Sequence, residues 1–126
     1  MKSGASRVLV VEDDDTLRES LAEILGDEGY EVRSAAHGGE AIEQLAGWEP
    51  NLILLDLMMP TVDAYGFRAE QRRIGIALGA KTLVLSAGRD IESAASALEA
   101  DAWLAKPFGL VELLALVAML LEPADR

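Results

Sequence analysis

Apolar runs and amphipathic stretches alternate along the chain in a regular order. Five short runs rich in Val, Leu and Ile have the length and composition of β-strands. The predicted strands are Arg7–Val11, Tyr30–Ser34, Leu52–Leu55, Thr82–Leu85 and Ala102–Ala105. Apolar residues recur at helical spacing after each strand, which predicts the helices Thr16–Leu25, Glu40–Leu45, Tyr65–Leu78, Ile91–Leu98 and Gly109–Leu121. Gly79 is expected to cap the third helix, and Pro60–Ala64 is expected to be a loop.

Strands that are separated by helices must pair in parallel, through right-handed crossovers. The uninterrupted apolar run Leu52–Leu55 is typical of a strand that is covered on both faces. The pattern therefore predicts a doubly wound α/β domain, but it leaves the strand order open. We expect one domain over residues 7–121, with short flexible ends at 1–6 and 122–126.

Composition narrows the class of protein. The chain has 126 residues, 51% of them hydrophobic, and carries 22 Asp+Glu against 11 Lys+Arg, for a formal charge of −11. This acidity argues against direct binding to nucleic acid or to an anionic membrane, since both require a basic surface. With no cysteine, disulfides, thiolate metal sites and cysteine nucleophiles are excluded. The longest apolar run is too short to cross a bilayer and Met1–Arg7 lacks a signal-peptide core, so we expect a cytoplasmic protein.

Polar residues follow the predicted strands where ligands bind in an open parallel sheet, beyond the carboxyl ends. The residues at these strand ends are Glu12, Asp13, Asp56, Ser86 and Lys106. Crowded carboxylates repel one another unless they protonate or share a cation, and an all-oxygen set suits Mg²⁺. The pattern indicates a Mg²⁺-dependent phosphoryl site, with Asp56 as the possible nucleophile, Lys106 as a second positive charge and Ser86 as a hydrogen-bond donor.

Each of these residues also has a purely structural interpretation. Asp14 and Asp15 could simply cap the first helix, and Asp56 could cap the end of its strand. Lys106 and Ser86, taken singly, are most often a surface lysine and a turn serine. His37, the single histidine, is predicted to lie in a solvated loop. The joint placement at strand ends is what favours a functional site.

These segments resemble the receiver domain of two-component response regulators, over nearly the whole chain. Val10–Asp14 resembles the acidic pair that follows the family's first strand, and Leu54–Pro60 closely resembles its phosphoacceptor segment. Val84–Ala87 resembles the hydroxyl-plus-alanine motif, and Lys106–Phe108 resembles the lysine motif, which usually has a cis Lys–Pro bond. The resemblance implies a flavodoxin-like (CheY-like) fold of the (βα)5 type, with strand order 2-1-3-4-5.

The resemblance also implies roles at the site. Asp56 would accept a phosphoryl group from a histidine kinase, a histidine phosphotransfer protein or a small donor such as acetyl phosphate. Mg²⁺ would be bound by Asp56, Asp13, Glu12 (through water) and the backbone carbonyl of Met58. Lys106 and Ser86 would contact the phosphoryl oxygens. The domain would be a signalling module rather than an enzyme, limited to its own phosphorylation and autodephosphorylation.

The implied output is a change of conformation. In the family, the Ser86-type hydroxyl moves toward the phosphate and an aromatic residue on the fifth strand rotates inward, a position that falls on Trp103. The family usually has a smaller aromatic there, glycine at the position of Ala64 and Gly-Ala at Glu99-Ala100. The alternative is a pseudo-receiver, a protein-interaction module that keeps the fold without phosphorylation.

Two other α/β classes fit less well. A haloacid-dehalogenase-like phosphatase would have a second aspartate where this chain has Met58. A flavodoxin-like flavin protein would have a phosphate-binding loop where Glu12–Asp15 would repel a phosphate.

The last predicted helix has a single charge, Glu112, between Leu110 and Leu121. Such a helix either packs deeply against the sheet or uses a second apolar face for association. We favour a homodimer or a downstream protein target bound through the fourth helix, fifth strand and fifth helix. No effector domain follows in this sequence, so we expect a stand-alone receiver or a receiver cut from a longer protein.

Overall fold

Ten elements alternate along the chain in the computed structural model, which describes residues 5–57, 64–88 and 90–122. They are β1 (Arg7–Val11), α1 (Asp15–Asp27), β2 (Glu31–Ala35), α2 (Gly38–Gln44), β3 (Leu52–Asp56), α3 (Ala64–Ile74), β4 (Lys81–Ser86), α4 (Ile91–Ala97), β5 (Ala102–Ala105) and α5 (Leu110–Leu121). The five strands form one parallel sheet in the order β2-β1-β3-β4-β5. The predicted α/β class and the strand order implied by the resemblance are both confirmed.

Successive residues of the inner strands point to opposite faces of the sheet, as the period of two requires. Leu9, Val11, Ile53, Leu55 and Val84 belong to one apolar layer, which α2, α3 and α4 cover. Val8, Val10, Leu52, Leu54, Leu83 and Leu85 belong to the other layer, which α1 and α5 cover. All five residues of β3 are buried, so the strand that carries Asp56 lies at the centre of the domain.

The third helix ends earlier than predicted. α3 stops at Ile74 instead of Leu78, and Gly75, with φ of 68°, ends it in place of Gly79. The N–H of Ile76 donates to the carbonyl of Gln71 at 3.0 Å, and that of Gly75 to Arg72 at 3.3 Å, the two hydrogen bonds of a Schellman cap. The prediction chose the wrong one of two glycines because Ile76, Ala77 and Leu78 prolong the apolar spacing beyond the true end.

Other boundaries differ by a few residues at most. Ala64, which we predicted to end a loop, is the buried first residue of α3, and the rest of that predicted loop lies outside the described residues. The predicted flexible ends likewise fall largely outside them. The carbonyl of Ser6 accepts a hydrogen bond of 2.9 Å from Glu31 at the start of β2. Among the described helices, none has the length and apolar character needed to cross a membrane.

The outer side of α5 is apolar and accessible, while its inner side is packed on the sheet. Leu113 and Val117 are buried, whereas Val111 is 82% and Met119 57% exposed. The helix therefore packs against the sheet with one side and leaves apolar side chains of its other side accessible, as a second apolar face for association requires.

Candidate phosphoryl-transfer site

Four strands bring the predicted site residues to one edge of the sheet. Val11 pairs with Leu55 and Asp56 with Leu85, so Glu12 and Asp56 follow neighbouring strands at the same level. Ser86 pairs with Ala105, the residue before Lys106. Parallel pairing thus collects residues from four distant sequence positions, as the sequence predicted.

Glu12 is buried at the end of β1 and held by several hydrogen bonds. Its side chain is 1% exposed, and Oε2 accepts a hydrogen bond of 3.1 Å from the backbone N–H of Asp14. Its Oε1 lies 3.0 Å from Nζ of Lys106. A carboxylate this deeply buried requires such partners, because an unpaired buried charge is very costly.

Three carboxylates form a compact group around the strand ends. Oxygen atoms of Glu12, Asp13 and Asp56 all lie within 4.8 Å of one another. Glu12 and Asp56 are buried, whereas Asp13 is exposed and forms the open side of the group. Three acidic oxygens at this separation are the donor set that a hard divalent cation such as Mg²⁺ prefers. We call these three residues together with Lys106 the acidic pocket.

Lys106 provides the positive charge of the acidic pocket. Its Nζ lies 3.5 Å from Oδ1 of Asp56 as well as 3.0 Å from Glu12. Burial alone would lower the pKa of this ammonium, but the hydrogen bond to Glu12 and the charges of Asp56 and Glu12 outweigh it and raise the pKa above its usual value. Lys106 is therefore protonated at neutral pH. The Lys106–Pro107 bond is cis, as the resemblance implied.

Ser86 is the site residue at the end of β4. It is 1% exposed, and its Oγ accepts a hydrogen bond of 2.9 Å from the N–H of Gly88. Its carbonyl accepts a hydrogen bond of 2.9 Å from the N–H of Lys106, and this bond connects the ends of β4 and β5. A Cβ added at Gly88 would lie 3.2 Å from this Oγ, so a larger residue there would crowd the hydroxyl.

Trp103 lies on β5 and is 43% exposed. It borders a shallow groove of about 340 Å³ that is also lined by Leu116 and Met119 of α5. Met58, whose carbonyl the resemblance assigned to the metal, lies outside the described residues.

Local contacts show the structural roles of Asp14, Asp15 and His37. Asp14 caps α1 by accepting a hydrogen bond of 2.9 Å from Leu17, and Asp15 pairs with Arg18 at 2.6 Å. His37 is half-buried and caps α2, its Nδ1 accepting a hydrogen bond of 3.2 Å from Glu40, so the prediction of a solvated loop histidine is wrong. Sequence reasoning missed Arg18, whose side chain reaches back to the acidic strand end. Its spacing of three residues from Asp15 was a signal for their ion pair, but not for the contact to Glu12.

A parallel five-stranded α/β domain with an acidic pocket and a lysine at its carboxyl edge defines a class of phosphoryl-accepting signalling domains. A sequence profile described as response regulator receiver domain matches residues 8–118. The chain belongs to the response regulator receiver domain family.

Several known proteins are similar to this chain. It is 41% identical over 118 residues to the response regulator MprA of Mycobacterium ulcerans, a match covering 92% of this chain and 50% of that protein. The chain thus spans about half the length of the curated relatives it matches. Among solved structures, the chemotaxis protein CheY4 of Vibrio cholerae is similar with a TM-score of 0.84 and 28% identity, covering 93% of this chain and 99% of that one.

A third similar protein bears on the acidic pocket. The response regulator TrrA of Thermotoga maritima, solved in complex with Mg²⁺ and BeF, superposes with a TM-score of 0.78 at 34% identity. That match covers 91% of this chain and 98% of that one. The chain is therefore a receiver domain of the two-component signalling type.

Proposed function

We propose that this receiver is phosphorylated on Asp56 by the phosphohistidine of a histidine kinase or a histidine phosphotransfer protein. The observation that carries the proposal is the acidic pocket, where a buried aspartate at a strand end lies 3.5 Å from a protonated lysine and within 4.8 Å of two further carboxylates. Lys106 alone could balance a single buried aspartate, whereas two further carboxylates beside Asp56 favour a bound divalent cation, which a carboxylate that receives an anionic group needs.

The transfer is a displacement at phosphorus. A carboxylate oxygen of Asp56 forms the new O–P bond while the P–N bond to the donor imidazole breaks and its electron pair stays on the ring. The aspartyl phosphate carries about −1.5 to −2 charges in place of the single negative charge of the carboxylate. Lys106 would pair with this charge and Ser86 would donate its hydroxyl, so positioning and charge neutralisation would do most of the work.

Glu12, Asp13 and Asp56 are the residues that would hold Mg²⁺, with the carbonyl of Met58 as the fourth protein ligand expected from the resemblance. The ion supplies positive charge that offsets the charge of the carboxylates and of the phosphoryl oxygens. The fit follows from the donors themselves: three acidic oxygen donors face one ammonium, so the acidic pocket retains a negative excess that a divalent cation would balance.

The reaction makes this chain a signalling domain rather than an enzyme with an external substrate. Hydrolysis of its own aspartyl phosphate by an in-line water would reset the signal. We expect the domain to act in the cytoplasm, without direct contact to nucleic acid or membrane.

The proposed output is a shift in a pre-existing equilibrium at the α4-β5-α5 face. Ser86 would leave its hydrogen bond with Gly88 for the phosphoryl group, and Trp103 would turn inward behind it. The exposed apolar side chains Trp103 and Met119, which line the same groove, support a homodimer or protein target at this face, because adjacent exposed apolar groups mark association sites.

Intact-mass measurement after incubation with Mg²⁺ and acetyl phosphate tests the proposal. We expect wild type and Asp27→Asn, a matched change at an exposed position at the end of α1, to gain the mass of one phosphoryl group, and Asp56→Asn to gain none. Absence of a Mg²⁺-dependent adduct on the wild type would favour the pseudo-receiver alternative instead.

A further inference from the structure

Arg18 lies in the first turns of α1, but its side chain contacts the strand end that precedes the helix. Its Nη1 donates to the carbonyl of Glu12 at 2.9 Å and its Nη2 to Oδ1 of Asp15 at 2.6 Å. The side chain is 17% exposed, against 79% for Asp15. A planar guanidinium with two fixed donors holds its partners in one relative orientation, which a flexible ammonium does not.

The contact from Arg18 is one of four hydrogen bonds that Glu12 makes. The N–H of Glu12 donates to the carbonyl of Ala35 at 3.0 Å, and its two carboxylate oxygens accept from Lys106 and from the N–H of Asp14. The remaining polar atom is the carbonyl oxygen of Glu12, which accepts the hydrogen bond from Arg18. Every hydrogen-bonding group of Glu12 is therefore engaged, which fixes both its side chain and the peptide that follows it.

That peptide leads directly into Asp13. Asp13 is the exposed member of the acidic pocket, on the side open to solvent. The direction of its side chain is set by the orientation of the Glu12–Asp13 peptide, because the dihedral angles on either side of that peptide start from it. A group that holds the Glu12 carbonyl thus also sets where the Asp13 carboxylate lies relative to Glu12 and Asp56.

We infer that Arg18 is a positioning residue for the acidic pocket, one that aligns the carboxylates of Glu12 and Asp13 for a divalent cation without binding the cation itself. The inference rests on the proposed function, since it concerns the same pocket. It adds a residue from α1 that none of the strand ends supplies, and it gives α1 an indirect part in cation binding.

Electrostatics and positioning predict opposite effects of removing this side chain. Arg18 is a cation close to a cation site, so deleting its charge without any change of geometry would strengthen Mg²⁺ binding. If Arg18 aligns the ligands, its deletion weakens binding despite the lost repulsion. Partners that orient the ligands of a metal are typically worth about 10-fold to 100-fold in affinity, and we expect the lower end here because Arg18 holds a backbone carbonyl and not a ligand oxygen.

Titration of the full chain with Mg²⁺ alone, followed by amide chemical shifts, measures the dissociation constant in wild type and in three variants. Arg18→Met should bind Mg²⁺ about tenfold more weakly, within the range quoted for such partners. Arg18→Lys keeps the charge but loses the two-pronged geometry and should also bind more weakly. Arg73→Met removes the same charge at an exposed position of α3 and should match wild type.

The outcomes separate the two proposals. Equal or tighter Mg²⁺ binding by folded Arg18→Met, with normal binding by wild type, would overturn the positioning role and leave the proposed function standing. No Mg²⁺ binding by wild type would overturn both. If Arg18→Met fails to fold, wild-type affinity in Arg18→Lys would overturn the inference and weaker binding would support it.

Discussion

The ammonium of Lys106 lies 3.0 Å from Oε1 of Glu12, a residue 94 positions earlier in the chain. The same ammonium is 3.5 Å from Asp56. Glu12 and Asp56 are only 1% and 2% exposed, so the lysine balances two charges that water barely reaches. This contact links the two ends of the sequence and determines how the domain responds to loss of the lysine.

Lys106→Met should destabilise the domain when Mg²⁺ is absent. We expect the free energy of unfolding to fall by about 2 kcal/mol, below the 3–5 kcal/mol for removing one partner of a fully buried pair, because Lys106 is partly solvated. Adding Mg²⁺ should recover part of the loss, since the ion supplies another positive charge. Denaturant unfolding measures both values. Mg²⁺ should stabilise Lys81→Met, the same change at the start of β4, and wild type equally by binding to both, so their difference in the free energy of unfolding should not change. An equal narrowing of that difference for Lys81→Met would contradict the explanation.

Glu99 adopts a left-handed backbone at the end of α4, with φ of 58°. Its carboxylate pairs with Arg72 of α3 at 2.6 Å, and Arg68 donates to its carbonyl at 3.1 Å. Glu99→Ala loses the ion pair and keeps the strain, whereas Glu99→Gly loses both. We therefore expect the glycine variant to be about 1 kcal/mol more stable than the alanine variant, measured by denaturant unfolding. Equal stability of the two would show that the backbone at this position carries no strain.

Glu31 should make the environment of Trp48 sensitive to acid. The pKa of Glu31 lies below its usual 4.5, chiefly because Trp48 donates to its carboxylate at 3.1 Å. Burial opposes this shift, and the hydrogen bond and charge of Arg7 add to it. A lowered folded-state pKa gives a contribution that is present above the unfolded pKa and is lost as pH falls through the folded value. In a Trp103→Phe background, Trp48 emission should change below about pH 4.5 before the circular dichroism does.

Two substitutions check the assignment to Glu31. Glu31→Gln should remove the early acid response, because it removes the titrating group that Trp48 contacts. Glu49→Gln, a change at the exposed residue next to Trp48, should retain it. A response that survives in Glu31→Gln would assign the titration to another acid.

Trp103 should report the proposed switch. In a Trp48→Phe background, addition of Mg²⁺ and beryllofluoride should shift the emission to shorter wavelength and reduce quenching by acrylamide, because the ring would move inward from its 43% exposed position. Asp56→Asn in the same background should show neither effect. Unchanged quenching in a protein that binds beryllofluoride would mean that Trp103 does not switch in the manner of the family.

The strands and the strand-end residues were predictable because they depend on local patterns. The apolar run Leu52–Leu55 followed by Asp56 indicates a buried strand and its end, and parallel pairing then places the other strand ends beside it. The end of α3 was not predictable in this way, because the sequence offers both Gly75 and Gly79 and only the backbone geometry distinguishes them.

Side-chain contacts between different elements were also beyond the sequence. The hydrogen bond from Arg18 to the Glu12 carbonyl depends on how the β1–α1 connection bends, and the ion pair from Arg72 to Glu99 joins elements that are distant along the chain. Neither contact produces a regular spacing of residue types in the sequence. His37 shows the same limit, since a histidine in a glycine-rich turn does not show from sequence that its Nδ1 caps a helix.

Locating the phosphoryl group on the chain tests the central claim most directly. After reaction with Mg²⁺ and acetyl phosphate, borohydride reduces an aspartyl phosphate to homoserine, which peptide mass spectrometry can place at a single residue. We predict homoserine at position 56, and none at the aspartates at positions 13 to 15. Homoserine at another aspartate, or a phosphorylated protein without it at position 56, would contradict the assignment of Asp56 as the phosphoacceptor.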